Sequence, residues 1–485
     1  MKINRSLGGS VIILILIFTS LYTIVNIVTD IQRPSCYRFL WLLPLSFLFV
    51  SIYFIARWYN LLFSSITGTI VVFTYFARMV IAPLFMSMGN YEAVMDDIVY
   101  DLNANFAILL MVYETLVIFL VLIAFIQKSG MLSDMMEYPE EGILTESVSK
   151  PSGPLWGIIA GMGTFIIGLI ILDNTIWKAN FLLLVDINQT YHAYSSSDTG
   201  IGTLSMYVEL MNSMYKLIQV ILPPMLLYYV ARRKNNPLKY SIAFLIFLAV
   251  VIIATDDRID AIFAGIAFLF TVRDTFEKNF RHKFKQWMLI IVFAGLFGLS
   301  IKSGVISSGT SDADMGNMSK MLVAYFSGVP TVSAGIGMSD TLEGLNLFHI
   351  FPDSVSKIPY LTYVVKLLTG ITITNSNQLL NYYISGIVGR SFGQILPSIA
   401  VGYEYFGFIF APVLPALFLK LALYFERNIK MQNDIVRRNL YYWITICVAS
   451  SPIISSVLLI TAKISWFAIA MIMMAVLKKR KEKYL

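Results

Sequence analysis

Lysine and arginine fall on alternate sides of a series of apolar stretches, and that alternation leaves this chain few ways to fold. Apolar periodicity and length place helices at 7–28, 39–56, 60–85, 104–127, 154–172, 206–230, 239–255, 259–272, 287–304, 395–425, 440–455 and 457–477. Most reach the roughly 20 apolar residues needed to cross a bilayer core. With the N-terminus inside, 23 basic residues fall in inward segments, including Arg57, Lys128, Arg232, Arg233, Arg427 and the Lys478–Lys483 run, against ten facing out. Five of those ten (Lys302, Lys320, Lys357, Lys366, Arg390) sit in or beside one long outer connection. Charge bias carries little weight in such a connection. The pattern predicts an all-α, polytopic membrane protein of about twelve transmembrane helices, multi-pass, with both termini cytoplasmic.

At 57% hydrophobic and 13% charged, the chain leaves no room for a large soluble domain. Its net charge of +7 sits in inner loops, where topology and anionic lipid account for it without a nucleic-acid partner. The first stretch, Leu7 to Val28, has too long an apolar core for a signal peptide and reads as retained. Cys36 and Cys447 fall at different depths, which argues against a disulfide and against a metal site.

Three parts follow. Residues 1–304 carry the first nine spans. Residues 305–393 form a large extracytoplasmic loop, and 394–485 carry the last three spans, with a turn expected at Ser450-Ser451-Pro452. A structureless connection as long as 305–393 is unusual and commonly functional. Met318–Val329 and Ile358–Leu368 have helical apolar periodicity suited to lying along the outer interface. The inner segment 128–153 is acidic and bears Pro and Gly.

Depth within the spans follows from counting at 1.5 Å per residue. Counted from Trp58, Arg78 reaches the outer surface, roughly 30 Å away. Glu114, Lys216 and Lys302 each lie roughly 20–25 Å from the inner face. Glu404 falls at the outer mouth, and Lys420 alone sits in the inner half. Buried charges are costly unless paired or wet, so these residues are functional candidates. The plainer reading joins Glu114 and Lys216 as a structural pair at matched depth. The asymmetry suggests a wet cavity that opens outward only, under the 305–393 loop.

Two motifs stand out. Ala254-Thr255-Asp256-Asp257-Arg258-Ile259-Asp260 is a polar turn that opens a helix. Gly389-Arg390-Ser391-Phe392-Gly393 leads to Pro397 and then to Gly402-Tyr403-Glu404-Tyr405-Phe406-Gly407. Together with Ala324-Tyr325-Phe326-Ser327-Gly328, these segments resemble the Wzy-type O-antigen and capsule polymerases over roughly residues 250–425. The chain departs from that family at Asp256-Asp257, where small residues are usual, and at Tyr403, which separates Gly402 from Glu404.

The resemblance implies a GT-C-like bundle in a bacterial cytoplasmic membrane. It implies an enzyme that joins undecaprenyl-pyrophosphate-linked oligosaccharide repeat units, with a chain-length regulator and a flippase as partners. Its reaction needs no cofactor and no metal, although Asp312-Ala313-Asp314 and Asp96-Asp97 carry oxygen ligands of the kind magnesium prefers.

A departing pyrophosphate favours fixed guanidinium groups. Arg258 and Arg390 are the leading candidates, supported by Arg78 and Lys302. The alternative for Arg258 is an ion pair with Asp256 or Asp260, and for Arg390 a solvated loop charge. The acceptor hydroxyl needs a base within hydrogen-bond reach. His349 and Glu404 are the candidates, with His192 a third; His282 lies on the wrong side. Tyr325, Tyr403 and Tyr405, among other tyrosines, are placed to stack on sugar rings, although interfacial aromatic belts explain many of them. A ligase acting on the same donor, and a lipid-linked-oligosaccharide flippase, are the competing readings.

Overall fold

In the computed structural model, residues 7–91, 99–128, 153–172, 202–232, 236–252, 258–276, 312–341, 347–356, 358, 361–370, 373–388, 395–451 and 457–483 are described. The described residues form helices and no strands. Six helical stretches are long and apolar enough to cross a membrane: Gly9–Thr29, Ser35–Ile55, Ile66–Met88, Asp101–Lys128, Met214–Ala231 and Leu459–Leu477. A bent pair, Ser398–Phe410 with Val413–Ile429, makes up to seven. This is an all-helical architecture compatible with a membrane protein. Helices at Gly153–Leu172, Asn236–Ile252, Arg258–Thr275 and Ile435–Ala449 coincide with further expected spans. The 287–304 stretch and the 128–153 connection (from 129 to 152) lie outside the described residues.

The chain divides into two compact units. One comprises Met1–Glu137, Met288–Tyr424 and Cys447–Ser465; the other comprises Tyr138–Trp287, Phe425–Ile446 and Trp466–Leu485.

In the first unit the expected single helix over 395–425 is replaced by two, bent by 113°. The cause lies in the residues. Gly407 adopts φ 72° and ψ −178°, a conformation essentially confined to glycine. The Ala411-Pro412 turn follows, and Pro412 begins the next helix by accepting from the Ala416 N–H. Gly402 faces the turn so closely that a Cβ there would stand 2.2 Å from the Ala411 carbonyl oxygen. The two glycines of the Gly402–Gly407 motif are therefore what shape the elbow. Gly407→Ala is expected to cost about 1–3 kcal/mol in backbone strain. Gly402→Ala is expected to cost a similar ~1–3 kcal/mol by overpacking. Thermal unfolding in detergent tests both, and an unshifted midpoint for either variant would show that the elbow does not need that glycine.

Two expectations about the outer segment also change. The helix over Met318–Val329 runs from Asp312 to Tyr325 and packs against Ala82–Met88. The following helix, Val329–Thr341, is buried from Val329 to Ser339. Its small residues explain this. A Cβ on Gly335 would meet Leu396 at 2.6 Å and Ala400 at 2.9 Å, so glycine lets the neighbouring helix approach. Leu361–Thr369 does form a helix, with Val364, Leu367 and Leu368 exposed.

Arg78 is not at a surface. Its side chain and that of Glu114 are both 0% exposed and form an ion pair at 2.8 Å. Tyr75 donates to the other oxygen of Glu114 at 2.9 Å, and Arg78 Nε donates to the Ser327 carbonyl at 3.0 Å. Counting from Trp58 fails because the helix is interrupted: Ser65 is extended, at φ −91° and ψ 135°. Counted from Ile66, Arg78 lies roughly 18 Å along, matching the roughly 21 Å of Glu114 from Lys128. A π-helical turn at Ala77–Ile81 also shifts the register that aims Arg78.

The expected pairing of Glu114 with Lys216 is therefore wrong. Lys216 pairs with Asp260 at 2.9 Å in the second unit. Matched depth cannot choose among partners on different helices, and each cation found a carboxylate closer to hand.

The second unit carries its own buried polar knot. Pro223 and Pro224 lie inside the Gly202–Ala231 helix. Pro224 has no N–H, so the Val220 carbonyl loses its usual donor one turn on. Asn439 fills that place, its Nδ2 donating to Val220 O at 2.8 Å, while Thr271 Oγ1 donates to Asn439 Oδ1 at 2.9 Å.

Candidate active site

The site begins with a helix start. Asn375 and Gln378 satisfy each other's backbone: the Asn375 N–H donates to Gln378 Oε1, and the Gln378 N–H to Asn375 Oδ1, both at 3.0 Å. This reciprocal capping fixes the first turn of the Ser376–Val388 helix. The free N–H of Ser376, at the positive end of that helix, donates to Asp353 Oδ1 at 2.7 Å. Asp353 is buried, and its second oxygen accepts from the Tyr405 hydroxyl. A helix start, the short Ile350–Val355 helix and the Ser398–Phe410 helix are thus joined through one carboxylate.

That junction brings the two principal candidates together. His349 ends the Leu347–His349 turn one helical turn before Asp353, and Glu404 is next to Tyr405. His349 Nδ1 and Glu404 Oε1 are 2.5 Å apart, with the imidazole 19% exposed and the carboxylate 0%. Ser376 Oγ donates to the same Glu404 oxygen at 3.2 Å. With Glu404 ionised, the carboxylate accepts from Nδ1–H and Nε2 is left as the basic nitrogen of the imidazole. Glu404 Oε2 is buried and has no partner among the described residues. It offers an acceptor position inside the site.

The other candidates are distributed unevenly. Tyr403 points elsewhere, donating to Asp340 Oδ1 at 3.1 Å and packing edge-on against Phe106. Tyr405 is 1% exposed with its hydroxyl engaged, so its ring has no open face for a sugar; it holds the site together instead. Tyr325 is partly buried near the end of its helix. Arg78 belongs to the buried ion pair, away from any exposed surface. Arg258 begins the Arg258–Thr275 helix, but its side chain, like those of Asp312 and Asp314, lies outside the described residues. Arg390, Lys302, Asp96, Asp97, His192, His282 and Tyr360 lie outside them altogether. Asp260, one suggested partner for Arg258, is engaged with Lys216.

Asp353 and Ser376 were not anticipated from sequence. Asp353 had a signal: four residues after His349, it shares a helical face with it. Ser376 had none, since only the folded chain brings it to Glu404. Comparison of this chain with protein-family models, with curated proteins and with solved structures finds no match.

Proposed function

We propose that this protein is a polysaccharide polymerase that joins lipid-pyrophosphate-linked oligosaccharide repeat units at the outer face of a bacterial cytoplasmic membrane. The observation that carries this reading is the His349–Glu404 pair, a partly exposed imidazole held by a buried carboxylate, in a chain built of apolar helices. The basic residues of the inner segments favour about twelve crossings with both termini cytoplasmic, and the resemblance to the Wzy-type polymerases implies a GT-C-like arrangement.

In the proposed reaction the acceptor hydroxyl oxygen attacks the anomeric carbon of the donor. The bond from that carbon to the pyrophosphate oxygen breaks, by analogy with other glycosyl chemistry. His349 Nε2 takes the hydroxyl proton. Glu404 holds the imidazole in the required tautomer and stabilises its charged form, so it acts as a positioning residue. From the resemblance, Arg258, Arg390 and Lys302 are proposed as the pyrophosphate-binding residues, since guanidinium and ammonium groups stabilise the charge that develops there. Arg78 is withdrawn from that role, because Glu114 and Ser327 engage it. A flippase and a chain-length regulator remain the proposed partners.

Purified protein supplied with its lipid-linked repeat unit tests this directly. A ladder of products is expected. A single transfer would establish a ligase, and passage across the bilayer without new bonds would establish a flippase. Either result overturns the polymerase reading. Arg258→Ala is expected to abolish the ladder while the protein still accumulates in the membrane.

A further inference from the structure

On the helix that carries Glu404 and on three others, polar groups are brought to one place. Tyr403 precedes Glu404 on the same helix, and its hydroxyl donates to Asp340, an exposed carboxylate near the end of Val329–Thr341. One turn earlier on that helix, Gly337 is the surface against which two further groups rest. A Cβ there would stand 2.6 Å from the Tyr383 hydroxyl and 3.0 Å from the Asn103 amide nitrogen. Thr341 donates back to the Gly337 carbonyl at 2.7 Å, and its side chain also meets the Tyr383 hydroxyl. Tyr100, 53% exposed, lies close enough to influence Tyr383. Burial, then Tyr100 and Asp340, push the Tyr383 hydroxyl above its usual pKa.

The composition of this cluster is selective. It holds a carboxylate, an amide, a threonine hydroxyl and three phenols. No basic group pairs with Asp340 among the described residues. Among the described residues, phosphate or a uronic acid would meet a like charge at Asp340 with no cation to offset it. A ring bearing hydroxyls would instead donate to Asp340, accept from Asn103 and Tyr383, and lay a face on an aromatic ring.

We infer that Asp340, Tyr403, Asn103 and Tyr383 form a glycan subsite for an uncharged or amino sugar, sharing the Ser398–Phe410 helix with Glu404. The polymerase reading supplies the expectation that the ligand is a sugar and that this subsite belongs to the acceptor.

Saturation-transfer NMR on the full-length protein in lipid nanodiscs tests the inference, with three probes: methyl galactoside, methyl N-acetylglucosaminide and methyl glucuronide. At least one of the first two is expected to bind, and the glucuronide is not. Asp340→Asn should weaken that binding at least about tenfold, since a hydrogen bond to a charged group is lost. Tyr403→Phe, which removes a single oxygen, should weaken it less while leaving the unfolding temperature unchanged. The subsite is overturned if neither neutral glycoside binds, if the glucuronide binds as well as they do, or if Asp340→Asn binds as the parent protein does. The two readings fail separately. Glycoside binding without a ladder in the polymerisation assay removes the catalytic reading, and a ladder without glycoside binding removes the subsite.

Discussion

His349→Ala is expected to lower polymer synthesis by roughly 10²–10⁴-fold, the usual contribution of a positioned general base. The change also leaves the buried Glu404 carboxylate with only the Ser376 hydroxyl, so a loss of stability is expected alongside it and rates are compared per folded protein. Glu404→Gln keeps the shape of the carboxylate but offers an amide that can favour the wrong tautomer. A loss of up to about 10⁴-fold follows from the same change in other carboxylate–histidine pairs. Gel analysis of the lipid-linked ladder over a time course, at matched protein levels, measures both. A wild-type rate from His349→Ala would remove that residue as the base, and with it the observation on which the proposed function stands.

The largest stability effect is expected at the ion pair between the helices of Arg78 and Glu114. Removing one partner strands a buried charge, which typically costs about 3–5 kcal/mol. Arg78→Met leaves Glu114 with only the Tyr75 hydroxyl and strips the Ser327 carbonyl of its donor. Glu114→Leu leaves a guanidinium whose Nη2 already has no partner among the described residues. The double variant Arg78→Met/Glu114→Leu should be more stable than either single one, because neither charge then remains buried. Unfolding in a graded denaturant, in detergent, measures the cycle. Equal stability of all four proteins would show that the pair is spectator to folding. Ser327 adds a local cost of its own, sitting at φ 49° in the left-handed region that L-residues seldom adopt. The carbonyl that Arg78 binds is thereby aimed by strained backbone.

The all-helical, apolar character was legible in the sequence because apolar run length is a local property, and 7–28, 104–127 and 154–172 match the described helices closely. What was not legible depended on backbone detail or on distant partners. Gly407 and Pro412 read as parts of one span, since an apolar stretch says nothing about where its axis turns. Arg78 was placed by a ruler that assumed continuous helix, and Ser65 broke the ruler. Glu114 was given a partner by depth alone, when three-dimensional proximity decides. His349 and Glu404 were each legible as titratable groups near the outer mouth. Their pairing across 55 residues was not, because it is built by Asp353 and Ser376 from a helix cap.

Asn439 and Val220 stand 219 positions apart, yet one completes the other's backbone. A proline alone makes a helix a loose swivel, free to tilt in whichever direction its neighbours permit. Here a side chain from another segment acts as a splint, and Thr271 braces the splint in turn. The tilt of that helix is consequently dictated from outside it, so a sequence change at Asn439 would be felt along the whole length of a rod it does not belong to.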